Sequence, residues 1–215
     1  MPKVSEAHLA SRRQQILEAA QRCFARDGFH RTTMQDVVRE AGLSPGAIYR
    51  YFPSKAELVA AIAGERHQRE TAQIEASALG ENAPEDLRRT MRRFFEPLAE
   101  PAERETRRVG IQLWAEALRD PHVLPVVRRG VDLPRARLAT LVRSGQTRGE
   151  LRPDLDADAL ARAMIALFHG FVLQQAWDQR VRVAPYLEVL DALLDGLRPR
   201  RTGRRAARRG SQPGG

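Results

Sequence analysis

An all-α fold is what this sequence predicts, and three observations lead there. Ala, Leu, Arg and Glu dominate its 215 residues, and the alternating Val/Ile/Thr-rich runs of strands are missing. Apolar residues return at helical spacing in one block after another. Between the blocks stand Gly, Pro and the Ser, Thr and Asp residues that start or stop helices. With 42% hydrophobic residues the chain can bury a sizeable core, laid out as about nine helices.

The first helix is marked by Ile16, Leu17, Ala20, Cys23 and Phe24 on one face, and Gly28 ends it. A short second helix carries Met34, Val37, Val38 and Ala41, with Thr33 as its cap and Gly42 as its stop. Ser44 caps a third, whose first turn holds Pro45 where a missing N–H costs nothing, and Pro53 stops it. Ser54 with Glu57 forms a capping box for a fourth helix, running from Lys55 into the seventies. The fifth shows Leu87, Met91, Phe94, Phe95 and Leu98, and the sixth spans roughly Glu103 to Arg119 until Asp120-Pro121 breaks it. The next segment reaches Gly149, with a kink expected near Gly130 and Pro134. The eighth begins near Asp156 and is apolar on two faces, so it calls for two packing partners. The ninth offers Tyr186, Leu190, Leu193, Leu194 and Leu197.

The net charge of +9 is unevenly placed. Residues 1–55 carry nine basic and five acidic side chains, whereas residues 56–197 are nearly balanced at 20 and 22. Residues 198–215 hold seven Arg and no acid, lack apolar periodicity, and are expected to be a disordered tail. Positive charge at both ends favours a phosphate-bearing partner. A single cysteine, Cys23, rules out an intramolecular disulfide and suits a reducing compartment; no apolar run reaches membrane length, so a cytoplasmic protein without membrane contact is expected. No Gly-rich phosphate loop, HExxH or nucleophile elbow is present, and His8, His30, His67, His122 and His169 are scattered without metal spacing. An enzyme, a metal site and a cofactor are therefore not expected.

The stretch TTMQDVVREAGLSPGAIYRYFPSK reads as two short helices around a tight Gly turn, the shape that pushes one helix into the major groove of double-stranded DNA. Gly46 and Ala47 are small, so the helix start can approach base edges. Thr33, Ser44, Tyr49, Arg50, Tyr51 and Lys55 are placed to meet phosphates, while Gln35 and Arg50 are long enough to read bases bidentately. Ile48 and Phe52, four apart, should face the core.

The run ILEAAQRCFARDGFHRTTMQDVVREAGLSPGAIYRYFPSKAELV resembles the DNA-binding domain of the tetracycline-repressor (TetR) family over roughly Arg13 to Val59, most specifically in GLSPGAIYRYFPSKAEL. Val38 departs from it, standing where such proteins usually have Ala. The resemblance implies a helix-turn-helix domain over residues 1–55 and a helical effector-binding and dimerisation domain over 56–197. It further implies a homodimer and repression released by a small-molecule effector. Two reading helices would then sit about 34–36 Å apart on a palindromic operator. The effector pocket is expected on the fifth to eighth helices, with Met91, Phe94, Phe95, Trp114, Phe168, His169, Gln174 and Trp177 as candidates; the His169 ring nitrogen is suited to orient a polar ligand group. The eighth and ninth helices are expected to supply half of a four-helix interface through Leu160, Met164, Leu167, Phe171, Leu190 and Leu194. Two other readings remain open at this point: an effector-independent or architectural DNA-binding protein, and a transcriptional activator.

Overall fold

In the computed structural model, residues 6–77 and 82–199 are described, and the expected Arg-rich tail lies outside them from residue 200 onward. They form nine α-helices: α1 Glu6–Asp27, α2 Met34–Ala41, α3 Pro45–Tyr51, α4 Lys55–Ser77, α5 Ala83–Phe95, α6 Pro101–Ala117, α7 Leu124–Thr147, α8 Ala157–Trp177 and α9 Val183–Asp195. Among the described residues there is no strand, and no helix is long and apolar enough to cross a membrane.

Local chemistry sets the boundaries of the short helices. The Thr33 hydroxyl accepts from the Asp36 N–H, and the Asp36 carboxylate accepts from the Thr33 N–H at 2.8 Å, a reciprocal cap with Asp in the role usually given to Glu. Gly42 stops α2 with φ of +64°, a left-handed backbone that a side chain would strain. The Ser44 hydroxyl accepts from Ala47 N–H to start α3, and Pro45 fills its first turn. The α5 helix ends at Phe95 rather than reaching Leu98, because Pro97 can donate no N–H; a single 3-10 turn, Glu96–Ala99, carries Leu98 instead. The kink expected near Pro134 does not divide α7, which runs through as one helix. There the residue four before the proline is Gly130, and a Cβ at that position would collide with the His67 ring. Gly130 thus lets α4 and α7 close on each other.

Two apolar cores result. The first gathers Ile16, Leu17, Cys23 and Phe24 of α1 with Val37, Ile48, Phe52, Leu58 and Val59, all essentially inaccessible to water. Ile48 and Phe52 face inward as the sequence predicts, and truncating a fully buried side chain of this size costs about 2–5 kcal/mol. Leu113 and Ala117 from the end of α6 complete this core, so the reading head is wedged against the larger domain. The second core centres on Phe95, whose ring lies 5.3 Å from those of Phe168 and Phe171 and stacks on Tyr186 at 5.2 Å. Leu87, Leu138, Val142, Leu187 and Leu190 surround it.

Candidate DNA-reading surface and effector cavity

The short-helix pair presents an exposed polar face. Thr33, Gln35, Ser44, Gly46, Tyr49 and Arg50 are all exposed, with Ala47 partly so. The Thr33 hydroxyl donates to Asp36 Oδ2 at 2.7 Å, and this contact, with the backbone cap and Arg39, holds the Asp36 carboxyl below the usual carboxylate range. Its charge is therefore kept at the start of α2, where the helix dipole favours it. Tyr51 packs half-buried against the first core. Lys55 requires a correction. Its Nζ donates to the carbonyls of Phe29 at 2.8 Å and Thr32 at 3.1 Å and sits 4.3 Å over the Phe29 ring. It ties down the α1–α2 turn instead of reaching outward, and burial lowers its pKa, with Glu116 opposing.

The same turn is latched to α6. Phe29 N–H donates to Gln112 Oε1 at 2.5 Å, and His30 Nε2 lies 3.1 Å from Glu116. Sequence reasoning missed this pair; the four-residue step from Gln112 to Glu116 on one helix face was the available signal.

On its other side, α6 walls a cavity of about 420 Å³. Five of the expected residues meet there: Met91, Phe94, Trp114, Phe168 and His169. The His169 ring lies 4.4 Å from that of Trp114, and burial holds its pKa below the ordinary imidazole value, with Glu70 opposing and Arg107 assisting. Three expected pocket residues lie elsewhere. Phe95 is consumed by the second core, and Gln174 and Trp177 are exposed on the far face of α8. The cavity also takes in residues the sequence reading left out, namely Arg66, His67 and Glu70 of α4, Thr90 of α5 and Arg107 of α6. Ile62, Arg66, Glu70 and Ile74 repeat every four residues along α4, a stripe visible in the sequence. The α1 helix contributes Gln21 and Arg22, so the cavity touches the reading head directly.

Four of the six interface residues expected on α8 and α9 also need correction. Met164, Phe171, Leu190 and Leu194 are buried within their own protomer, and Leu160 and Leu167 pack against the same core. What α8 leaves outside includes the small residues Ala159, Ala163 and Ala166, with Gly170 half-buried further along, and Trp177, which is 75% exposed. Beside it α9 exposes Val189 and Leu193.

A capped helix–Gly–helix reading head joined to an all-helical domain with a cavity defines a regulator of the helix-turn-helix class. The chain belongs to the TetR family: residues 16–62 match the model of bacterial regulatory proteins of the tetR family, and residues 83–199 match that of the BetI-type transcriptional repressor C-terminal domain. It is similar to the HTH-type transcriptional repressor AcnR of Corynebacterium diphtheriae, 31% identical over 82% of this chain and 87% of that one. Among solved structures it resembles Salmonella enterica GusR, with a TM-score of 0.75 at 27% identity, covering 91% of this chain and 98% of that one. It also resembles a transcriptional regulator from Saccharomonospora viridis in complex with choline, with a TM-score of 0.72 at 27% identity, covering 86% and 96%.

Proposed function

We propose that this TetR-family regulator is a homodimeric repressor that holds a palindromic operator and releases it when a small molecule fills the cavity. In this reading residues 1–55 are the reading head and residues 56–197 the effector and dimerisation domain. Gln35 and Arg50 read bases, while Thr33, Ser44, Tyr49 and Tyr51 hold phosphates, with Gly46 and Ala47 permitting close approach. The observation that carries the reading is the position of α6, which has the cavity on one side through Trp114 and the Phe29 turn on the other through Gln112. A ligand that binds better to a shifted α6 would re-aim the head by its differential affinity for the two states. The ligand-bound S. viridis relative supports a cavity that takes a small molecule in this fold. The second copy would seat on the exposed small residues of α8 together with Trp177, Val189 and Leu193, since small residues let two helices approach closely.

The test is selection of genomic fragments by the purified full-length chain, followed by footprinting of the retained sequence. One strongly preferred inverted repeat, protected in two major grooves about one turn apart, supports the proposal. Binding that tracks salt with no sequence preference points instead to an architectural role and refutes it.

A further inference from the structure

The charged groups inside the cavity are not evenly satisfied. Arg107 is paired with two carboxylates: its Nη1 donates to Glu70 at 2.8 Å, its Nε donates to Glu103 at 2.8 Å, and its guanidinium lies 4.9 Å over the Phe168 ring. Arg66, largely buried, is left with what remains. Among the described residues its hydrogen-bond partner is Glu103 Oε1 at 3.4 Å, the same oxygen that Arg107 takes at shorter range. Five guanidinium donors beside the cavity thus share one long contact. Burial and the neighbouring Arg107 lower the Arg66 pKa to about 10, so the group still carries its charge at neutral pH and carries it at a cost. A second unsatisfied polar group lies nearby on α5. Thr90, 1% exposed, borders the same cavity, and its enclosed hydroxyl has no hydrogen-bond partner among the described residues.

We propose, building on the effector reading above, that the effector is a small amphipathic monoanion: an apolar body lying among Met91, Phe94, Trp114 and Phe168, with a carboxylate seated on Arg66. The planar guanidinium fork matches a carboxylate in two parallel hydrogen bonds. A cation fits poorly. One face of Phe168 is already covered by Arg107, Trp114 lies against His169, and Glu70 is tied to Arg107. The other acidic groups lining the cavity, Glu18 and Glu105, stand on exposed positions. A dianion fits poorly too, since Arg22 and Arg107 are paired with carboxylates and burial disfavours the charged forms of His67 and His169.

The experiment uses the full-length protein and two matched sets of ligands sharing a body and differing in the head group. These are octanoate, octanol and octylamine, and phenylpropanoate, phenylpropanol and phenylpropylamine. Calorimetry and thermal shift should rank the acid first in at least one set, by about tenfold over alcohol and amine, the worth of a charge-assisted contact. Arg66→Met should abolish that ranking and, by removing an under-compensated buried charge, should not lower the melting temperature of the empty protein; Arg66→Lys should retain part of it. Preference for an amine, equal binding of all three heads, no binding of any head at millimolar concentration, or an acid preference that survives Arg66→Met would each overturn the proposal. Operator release is scored separately. Acids that bind through Arg66 without loosening selected DNA keep the ligand class and sink the effector reading. Intact selective operator binding by a protein that ignores acids does the reverse.

Discussion

Leu193→Arg tests the dimer face directly. Leu193 is 54% exposed on α9, beside Val189 at 60%, so its side chain has no role in the protomer's own core. Fully burying a leucine is worth about 1.5–3 kcal/mol, so covering the exposed half gives about 1.2 kcal/mol. A two-fold interface uses the residue twice, which makes the loss about 2.4 kcal/mol per dimer, or roughly fiftyfold in the dimer dissociation constant. That is a lower bound, because the new guanidinium must also be dehydrated. The assay is mass photometry or sedimentation velocity across a dilution series. Leu118→Arg serves as the control: Leu118 is still more exposed, at 86%, but sits where α6 ends, next to Ala117 of the first core. Dimers that weaken equally with both variants, or that ignore Leu193→Arg while Leu118→Arg breaks them, would refute the placement. So would a wild-type chain that is monomeric at micromolar concentration.

Three further outcomes are expected. Gln35→Ala should relax preference at particular base pairs of the selected site, whereas Tyr49→Phe should weaken binding evenly across sequences; competition shifts with variant duplexes check this, and wild-type affinity in both variants would remove these residues from the reading roles. Gln112→Met leaves the Phe29 N–H without its acceptor, a loss of about 1–3 kcal/mol that at roughly 2–4 °C per kcal/mol lowers the melting temperature by several degrees. An unchanged melting curve would mean that the latch contributes nothing. Burial holds His67 and His169 below the ordinary imidazole value. The unfolded chain therefore takes up protons that the folded one refuses once pH falls below about 6.5, so the stability they represent is complete above that value and drains away below it. Replacing both with Gln should flatten the fall in melting temperature between about pH 6.5 and pH 5, and an identical slope in variant and parent would contradict the assignment.

How much of this was legible in the sequence depended on the range of the interactions. The boundaries of α2 and α3 were readable because Thr33, Gly42, Ser44 and Pro45 act on backbone groups within three or four residues of themselves. The two faces of α8 were readable as well, but not which one turns outward. Leucines and phenylalanines outrank alanines in any apolar pattern, so the expected interface includes Met164 and Phe171 and omits the exposed Ala159, Ala163 and Ala166. The cavity wall on α4 was hidden for a different reason. Arg66 and Glu70 look like surface charge until α6 brings Arg107 and Glu103 to meet them, a pairing some 37 residues away in sequence. Lys55 shows the same limit: nothing in its neighbours reveals that the Phe29 and Thr32 carbonyls lie within its reach.

Cys23 is the chain's one thiol, and it lies fully enclosed in the core of the reading head with its pKa raised, chiefly by burial. A modifying reagent can reach it only while that small module is breathing open. The speed at which the folded protein takes up one label is thus a clock for a single region, silent about the rest of the molecule, and it could be read with DNA or small molecules present and no engineered tag.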